Sequence, residues 1–357
     1  MSTKPLHDQE QVDIMTWLRF PLIIGVVLVH TNIYALVEMW EGAPPQWPEW
    51  LIYIFNYFYL IVLPEPVPVL FIISGYFFFR NNGAKRQIHF ADKLKRRISS
   101  LLVPYLIWNT IAILILYIRF NVIAHENYTI TDYLSGYWDF SQRYNYDPAN
   151  GPLWYMRDLM VISICTPLLY HLLKKNATAI LYFAIITACY ITSTGIDITG
   201  FGGGAFMFFA IGAYIAIHNI NITKIPHSIG IATLVLYIPL QIILNNIGDN
   251  ACAFLVTNII KITALFYFVS LLYRKRIIGP TPGLTKICFV LYALHGIIIG
   301  PTIKALYTLL NSNNPFILLF IYIITPVIMV IIAFAIDKLL QTHAPRLGKI
   351  ITGNRTQ

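Results

Sequence analysis

Two ionisable side chains lie at a regular spacing in one apolar stretch near the start of the chain. Arg19 and His30 are separated by ten residues within the segment 13–37, which is otherwise mostly hydrophobic. A charge in the hydrocarbon core of a membrane is costly, so an intramembrane arginine is a functional candidate. In a continuous helix, eleven residues turn through about 1100° and rise about 16 Å, so the two side chains share one face at two depths. This geometry indicates one polar cavity or one long ligand.

Each of the two residues also has a structural interpretation. Arg19 can extend to the cytoplasmic membrane interface, with its stem along apolar surface. His30 can hydrogen-bond a neighbouring helix. The shared helix face favours the functional interpretation for the pair.

Other polar side chains lie within or beside apolar segments. His295 follows Tyr292 by one turn in FVLYALHGIII; such a pair can join helices or hold and relay a proton. Arg157 is followed by Asp158. The sequence is equally compatible with contacts of these two residues with other helices and with a substrate. The candidates for lining a substrate cavity are Glu65, Ser74, Tyr76, Tyr105, Asn109, Trp154, Arg157, Tyr292 and His295.

A basic cluster lies in the segment 80–97, which holds seven lysines and arginines. Lys93, Arg96 and Arg97 are at the entry of the next apolar stretch. Arginine is suited to bidentate contact with phosphate groups. Anchoring to anionic lipid head groups explains the same pattern equally well, and the sequence leaves both interpretations open.

The composition requires a membrane environment for the elements that position these residues. Of 357 residues, 57% are hydrophobic and only 11% are charged, whereas soluble domains have about 25% charged residues. The pattern predicts an all-α polytopic membrane protein. Its ten expected spans are 14–37, 52–79, 98–120, 152–173, 177–194, 203–218, 228–246, 251–273, 286–309 and 315–340.

The net charge is +9, and the lysines and arginines are concentrated in alternate loops. The positive-inside rule therefore predicts that both termini and every basic loop are cytoplasmic. We expect a single transmembrane domain over 1–357, with a cytoplasmic N-terminus at 1–13 and a basic cytoplasmic tail at 341–357. The loop 121–151, expected outside, is rich in tyrosine and tryptophan, which suit sugar rings and membrane interfaces equally.

The second expected span contains three prolines around Glu65, so we expect a broken helix that is buried or lines a cavity. Gly75 after Ser74 permits close approach of another backbone or a ligand. The sequence has no glycine-rich phosphate loop and no metal-ligand spacing. We therefore expect membrane lipid as the environment, with no metal and no nucleic-acid partner.

Several motifs, in order along nearly the whole chain, resemble those of the membrane-bound acyltransferase-3 family. Arg19 and His30 match its R-x10-H signature. The stretch VPVLFIISGYFFF is similar to its Pro-aromatic-Ser-Gly-aromatic element, and KLKRRISSLLVPYLIWN to its basic loop leading to Pro-Tyr. FVLYALHGIII resembles its late Tyr-x-x-His element, and GPLWYMRDL the Leu-Trp-aromatic opening of a middle span. Thr16 stands where relatives often have an acidic residue, and Ser100 and Leu101 where they often have an arginine.

The resemblance implies a multi-pass enzyme of the inner or plasma membrane. It would transfer an acyl group, usually acetyl, from cytoplasmic acyl-CoA to a hydroxyl of an extracytoplasmic acceptor, expected to be a carbohydrate. Arg19 would contact the acyl donor and His30 would be the general base, while Lys93, Arg96 and Arg97 would bind acyl-CoA phosphates. No appended esterase-like domain is expected.

A transporter with a charged central cavity is the alternative. Many transporters contain inverted repeats with broken helices in corresponding positions. The proline-interrupted second span has no counterpart in the second half of this sequence, which favours the enzyme.

Overall fold

A computed structural model describes residues 6–62, 64–80, 88–139, 148–192, 199–247 and 250–353. The regular structure of these residues is helical throughout. The first half contains α1 (Leu6–Val29), α2 (Ile33–Glu41), α3 (Glu49–Val62), α4 (Pro66–Phe79), α5 (Phe90–Arg97), α6 (Val103–Tyr117) and α7 (Ile130–Ser135). The second half contains α8 (Trp154–Leu173), α9 (Asn176–Thr192), α10 (Gly203–Ile217), α11 (His227–Ile247), α12 (Ala251–Arg274), α13 (Pro282–Leu310), α14 (Pro315–His343) and α15 (Pro345–Thr352).

In the second half of the chain, the helices follow the predicted spans closely. Each of α8 to α14 begins and ends within about four residues of its expected bounds, which is the usual uncertainty of helix ends predicted from sequence. The tail expected after the last span is partly helical, because α14 extends to His343 and α15 follows it. Trp108 Nε1 donates to the carbonyl oxygen of Ile351 at 3.2 Å, which connects α15 to α6.

The prediction that the first span is one continuous helix is wrong. Helix α1 ends at Val29, and α2 begins at Ile33. Asn32 caps α2, because its side chain accepts a hydrogen bond from the Ala35 backbone N–H at 3.2 Å. His30 therefore lies in the turn after α1, and the rotation calculated for an unbroken helix does not apply to it.

The second predicted span is broken, as its prolines predict. Helix α3 ends at Val62 and α4 begins at Pro66, with Glu65 in the N-cap position. Proline is well tolerated in the first turn of a helix because its missing N–H would have no intrahelical partner there. The prolines therefore do not kink one long helix; they stand at the start of a separate helix, α4.

The third predicted span begins earlier than expected. Helix α5 starts at Phe90 and continues into α6 through a first π-helical segment, Ile98–Leu102. A second π-helical segment, Ile118–Ile123, follows α6. The basic end of α5 is therefore helical, although its charges led us to expect a loop before position 98.

Within the described residues, six helical stretches are long and apolar enough to cross a membrane: Gln9–Glu41, Phe90–Ile123, Gly151–Leu173, Ala251–Arg274, Pro282–Leu310 and Pro315–His343. Shorter apolar helices occur at Pro66–Phe79, Asn176–Thr192, Gly203–Ile217 and His227–Ile243. The chain is therefore a multi-pass membrane protein. The count of ten spans and the cytoplasmic termini stay predictions.

The chain divides into two compact units that alternate along the sequence. Unit 1 comprises Met1–Leu22, Leu60–Leu94 and Val161–Thr285, and unit 2 comprises Ile23–Tyr59, Lys95–Met160 and Lys286–Gln357. The candidate residues are divided between them. Unit 1 holds Arg19, Glu65, Ser74, Tyr76 and Lys93, and unit 2 holds the remaining candidates.

In unit 1, two glycines bring helices α4 and α10 into backbone contact. A Cβ atom at Gly75 would lie 2.0 Å from the Phe209 carbonyl oxygen, and one at Gly212 would lie 1.9 Å from the Ile72 carbonyl oxygen. Neither distance is compatible with a side chain. Gly75 therefore serves the approach of another backbone, one of the two functions that its sequence context predicts.

A methyl group at Gly212 should separate α4 from α10. We expect Gly212→Ala to lower the free energy of unfolding by at least about 1–3 kcal/mol, because the obstructing atoms are backbone and cannot rotate away. Gly203→Ala, at the start of the same helix, is the matched control, since its Cβ would have no atom within 4 Å. Thermal unfolding in detergent measures both. Equal melting temperatures for the two variants would contradict the assigned packing.

Candidate active site

In unit 2, His30 pairs with a second histidine. The ring centroids of His30 and His295 are 5.2 Å apart, and the ring planes are inclined by 43°. His30 is exposed in the turn after α1, whereas His295 on α13 is completely buried. One imidazole is therefore accessible to a ligand, and the other lies behind it.

The tautomer of His295 follows from its backbone contact. Its Nδ1 atom lies 3.3 Å from the Leu291 carbonyl oxygen. A carbonyl oxygen only accepts hydrogen bonds, so Nδ1 carries the proton in this contact and Nε2 of the neutral ring is an acceptor. Within the described part of the chain, Nε2 of His295 is buried without a hydrogen-bond partner. A buried unsatisfied atom of this kind is rare and points to a functional position.

A buried polar network fixes the segment of α13 that carries His295. The Tyr292 hydroxyl donates to the Pro152 carbonyl oxygen. Asn150 Nδ2 donates to the Ala293 carbonyl oxygen at 2.9 Å, and the Asn150 backbone N–H donates to Asn109 Oδ1 at 3.0 Å. Helices α6 and α13 are thus both attached to the short stretch before α8.

Gly296, next to His295, makes this attachment possible. A Cβ atom there would lie 2.5 Å from Asn150 Oδ1 and 2.6 Å from Pro152 Cδ. The residue after the histidine must therefore lack a side chain for Asn150 and Pro152 to reach α13.

A cavity of about 1260 Å³ adjoins His30 in unit 2. Its walls come from the turn after α1 and from α2, from α6 and the second π-helical segment, from residues 149–154, and from α13. Of the candidates for cavity residues, Trp154 lines it together with His30. A volume of this size exceeds the usual range of about 300–1,000 Å³ for small-molecule sites, so it admits a ligand larger than a single sugar.

An apolar cluster supports the wall that α6 contributes to this cavity. Its buried members are Ala112, Leu116, Phe120, Tyr133 and Ala149. They join α6 and the second π-helical segment to α7, which is fixed at its start by reciprocal hydrogen bonds between Thr129 and Asp132. The loop expected outside is therefore partly ordered against the helices.

Three candidates in unit 2, Tyr105, Asn109 and Arg157, do not line the cavity. Their side chains instead make hydrogen bonds or ion pairs within the protein. Tyr105 donates its hydroxyl to the Tyr137 carbonyl oxygen at 2.6 Å. Arg157 pairs with the neighbouring Asp158 at 3.0 Å, with both side chains almost fully buried, and donates to the Trp138 carbonyl oxygen at 2.7 Å. Asn109, fully buried, belongs to the network with Asn150.

In unit 1, Arg19 and Lys93 both contact α4. The Arg19 guanidinium lies 4.7 Å from the centre of the Phe77 ring. Lys93 donates to the Phe78 carbonyl oxygen near the end of α4, where a cation also interacts favourably with the helix dipole. Beside them on α4, Ser74 is half-buried and Tyr76 is buried. In unit 2, Arg96 is exposed and Arg97 is half-buried.

Glu65 belongs to a buried polar cluster in unit 1 that the sequence did not reveal. Lys261, only 2% exposed, donates to Gln241 Oε1 and lies 5.4 Å from the centre of the Tyr237 ring. Glu65 is close enough to attract this cation. The partners of Lys261 lie on other helices, Gln241 and Tyr237 on the preceding helix α11 and Glu65 before α4, so the sequence alone does not show them.

Asn150, Gly296 and Arg119 were also missed as site residues. The first precedes the GPLWY motif directly, and the second follows His295, so each adjoins a motif that was recognised. Arg119 lines the cavity, but its position at the end of an apolar stretch is equally typical of an interfacial anchor.

The fold and this site define a class: an all-helical multi-pass membrane protein with a paired histidine beside a large cavity. A family model described as an acyltransferase domain matches residues 12–336. The chain belongs to the acyltransferase-3 family, as its motifs predicted. It is similar to the succinoglycan biosynthesis protein ExoH of Rhizobium meliloti (strain 1021), with 26% identity over 367 residues, covering 95% of this chain and 91% of that relative. No solved structure matches the chain.

The hydroxyl of Tyr292 should stabilise the network behind His295. We expect Tyr292→Phe to lower the free energy of unfolding by about 1–3 kcal/mol, because the buried Pro152 carbonyl would lose its donor. Tyr322→Phe is the control in the same unit: this tyrosine is 1% exposed, and its hydroxyl has no hydrogen-bond partner among the described residues. Chemical or thermal unfolding compares them. A larger loss for Tyr322→Phe than for Tyr292→Phe would rule out the assigned role.

Proposed function

We propose that this protein is a membrane O-acyltransferase that moves an acyl group, in the first instance acetyl, from cytoplasmic acyl-CoA to a hydroxyl of a carbohydrate acceptor. The observation that carries the proposal is the exposed imidazole of His30 on a cavity of about 1260 Å³, in a chain of the acyltransferase-3 family. The relative's name, a succinoglycan biosynthesis protein, supports a polysaccharide or its precursor as the acceptor.

His30 is the general base in this proposal. Its imidazole takes the proton of the acceptor hydroxyl while the hydroxyl oxygen attacks the carbonyl carbon of the thioester. The carbon–sulfur bond breaks, the acyl group becomes an ester of the acceptor, and the imidazolium returns its proton to the CoA thiolate. This step conserves protons and electrons and needs no metal and no redox partner.

His295 supports this role from behind His30. Its buried ring, 5.2 Å away between centroids, is held by the Leu291 contact and by the Tyr292 and Asn150 attachments on the same stretch of α13. Nε2 of the neutral His295 ring is a buried acceptor without a partner among the described residues, and in this proposal it accepts a hydrogen bond from the His30 imidazolium. The pair thereby assists His30 in holding the proton between its removal from the acceptor and its return to CoA.

Arg19, Lys93, Arg96 and Arg97 bind the donor in this proposal. A guanidinium offers paired N–H donors to phosphate or to a thioester oxygen as charge develops on it. The Arg19 guanidinium lies 4.7 Å from the centre of the Phe77 ring, and this cation–π contact orients the side chain on α4. Arg96, exposed at the end of α5, is accessible to a soluble donor.

Substitution of the two signature residues should impair transfer in different ways. We expect His30→Ala to reduce turnover by about 10²–10⁴ while acyl-CoA binding is retained, since the general base acts on the acceptor. Arg19→Ala, and also Arg19→Lys, should lose turnover together with donor binding or positioning, because lysine cannot replace a planar fork. The assay is release of CoA thiol by purified protein in nanodiscs with a polysaccharide precursor as acceptor.

The control for the first substitution is His343→Ala, at the exposed end of α14, which should retain wild-type turnover. Wild-type turnover in His30→Ala would contradict its role as the base. Transport of a solute into liposomes by the wild type without any acyl-CoA requirement would replace the enzyme by the transporter.

The basic residues at the end of α5 should contribute to donor affinity. We expect Arg96→Gln with Arg97→Gln to weaken acyl-CoA binding by about three- to tenfold, a modest effect because solvent screens partly exposed charges. Arg346→Gln with Lys349→Gln on α15 removes the same charge from exposed positions and should leave the affinity unchanged. Titration calorimetry with acyl-CoA in nanodiscs measures both. An equal effect of the two double substitutions would mean that these arginines anchor the protein to lipid.

A further inference from the structure

The cavity beside His30 carries two cationic side chains that the proposed reaction does not use. Arg119, in the second π-helical segment, and Lys304, on α13, both line it. Both side chains are exposed. A surface shared with the candidate base is therefore positively charged at neutral pH.

Among the residues that the structure describes, no carboxylate lines the cavity to neutralise these charges. No aspartate or glutamate is among the residues that line it. Glu41, on α2, accepts a hydrogen bond from the Tyr307 hydroxyl at 3.5 Å and lies outside the lining. Across the described ranges, neither Arg119 nor Lys304 has a carboxylate within ion-pairing distance. Two exposed cations on one partly apolar cavity wall can therefore bind a ligand that carries the opposite charge.

Aromatic faces accompany the charges. Lys304 Nζ lies 5.6 Å from the centre of the Trp40 ring, a cation–π contact that holds the lysine on the cavity wall. Trp154 contributes a second half-buried indole to the lining. Indole faces are suited to the apolar faces of sugar rings, with the polar groups of the sugar at the edges.

The cations and the histidine pair lie at different depths. Lys304 follows His295 by nine residues on α13, which is about 13 Å along a helix axis. A ligand that reaches both positions is longer than one sugar ring. The cavity thus combines space for an oligosaccharide, aromatic faces and unneutralised positive charge.

We propose that the acceptor is an acidic oligosaccharide, whose carboxylate or phosphate group binds Arg119 and Lys304 while one of its hydroxyls lies at His30. This inference rests on the proposed function for the identity of the reacting hydroxyl, and adds the charge of the substrate. Binding of the acid group away from the reacting centre fixes which hydroxyl reaches the base. The cations thereby select the acceptor and leave the chemistry to His30.

The test compares an acidic trisaccharide with its neutral counterpart. Trigalacturonic acid and the same trisaccharide with its carboxyl groups reduced to alcohols are titrated calorimetrically into wild-type protein in nanodiscs of zwitterionic phosphatidylcholine. We expect the acidic form to bind at least about tenfold more tightly, and its affinity to fall as sodium chloride is raised. Arg119→Gln with Lys304→Gln should reduce the ratio of the two affinities to near one.

Lys338→Gln is the matched control, because Lys338 is an exposed lysine of the same unit that does not line the cavity; its affinity ratio should equal that of the wild type. Unchanged melting temperatures would show that the cavity variants are folded. Equal binding of the two trisaccharides by the wild type, or a ratio that survives both cavity substitutions, would overturn the inference. The inference would also be overturned if trigalacturonic acid did not bind the wild type while phosphatidylglycerol stabilised it through Arg119 and Lys304. That result would assign the two cations to a lipid head group.

The binding experiment needs no acyl-CoA, so it separates the two proposals. Selective binding of the acidic trisaccharide without release of CoA thiol would support the charged site and count against the transferase function. Release of CoA thiol with neutral and acidic acceptors alike, unaffected by Arg119→Gln and Lys304→Gln, would leave the transferase standing and remove the acidic acceptor.

Discussion

Asn150 connects helices that are far apart in sequence, and the site in unit 2 depends on this connection. Its side chain donates to the backbone of α13, and its own backbone donates to Asn109 on α6. Within a membrane, water does not compete for such groups, and each broken hydrogen bond leaves a buried polar atom unsatisfied. The position of His295, and through it the environment of His30, is therefore determined by hydrogen bonds rather than by apolar packing, which is weakly directional.

Unit 1 uses a different solution to the same problem. Where α4 and α10 cross, Gly75 and Gly212 allow backbone to meet backbone, and van der Waals contact replaces the hydrophobic driving force that lipid does not provide. The charged residues of this unit are then compensated locally: Lys261 by Gln241 and Glu65, and Lys93 by the end of α4. Unit 1 thus combines close backbone packing with local partners for Lys261 and Lys93, whereas unit 2 relies on the hydrogen bonds of Asn150.

Much of this arrangement could be predicted from the sequence, because span length and loop charge are local properties. The helices after position 150 and the break before Pro66 agree with the spans and prolines read from the sequence. The family was also predicted correctly from the sequence motifs. The break at His30 was not predicted, because the sequence pattern places the polar residues His30, Thr31 and Asn32 within one span, whereas Asn32 caps a new helix. The neighbours of Gly296 were not predictable because Asn150 and Pro152 are distant in sequence, and the pairing of Lys261 with Gln241 was not predictable because it depends on how two consecutive helices pack. The pairing of His30 with His295 is of the same kind: each residue was recognised alone, and only the fold brings the rings together.

The first π-helical segment, Ile98–Leu102, joins α5 to α6 with one residue more than a regular α-helical turn would hold. One residue corresponds to about 100° of rotation about the helix axis. Arg96 and Arg97 therefore point in a direction, relative to Tyr105 and Asn109, that counting along an ideal helix does not give. A relative lacking a single residue in this segment would carry the same basic residues on a different face. Comparison of basic loops between such proteins must therefore follow helix phase as well as residue type.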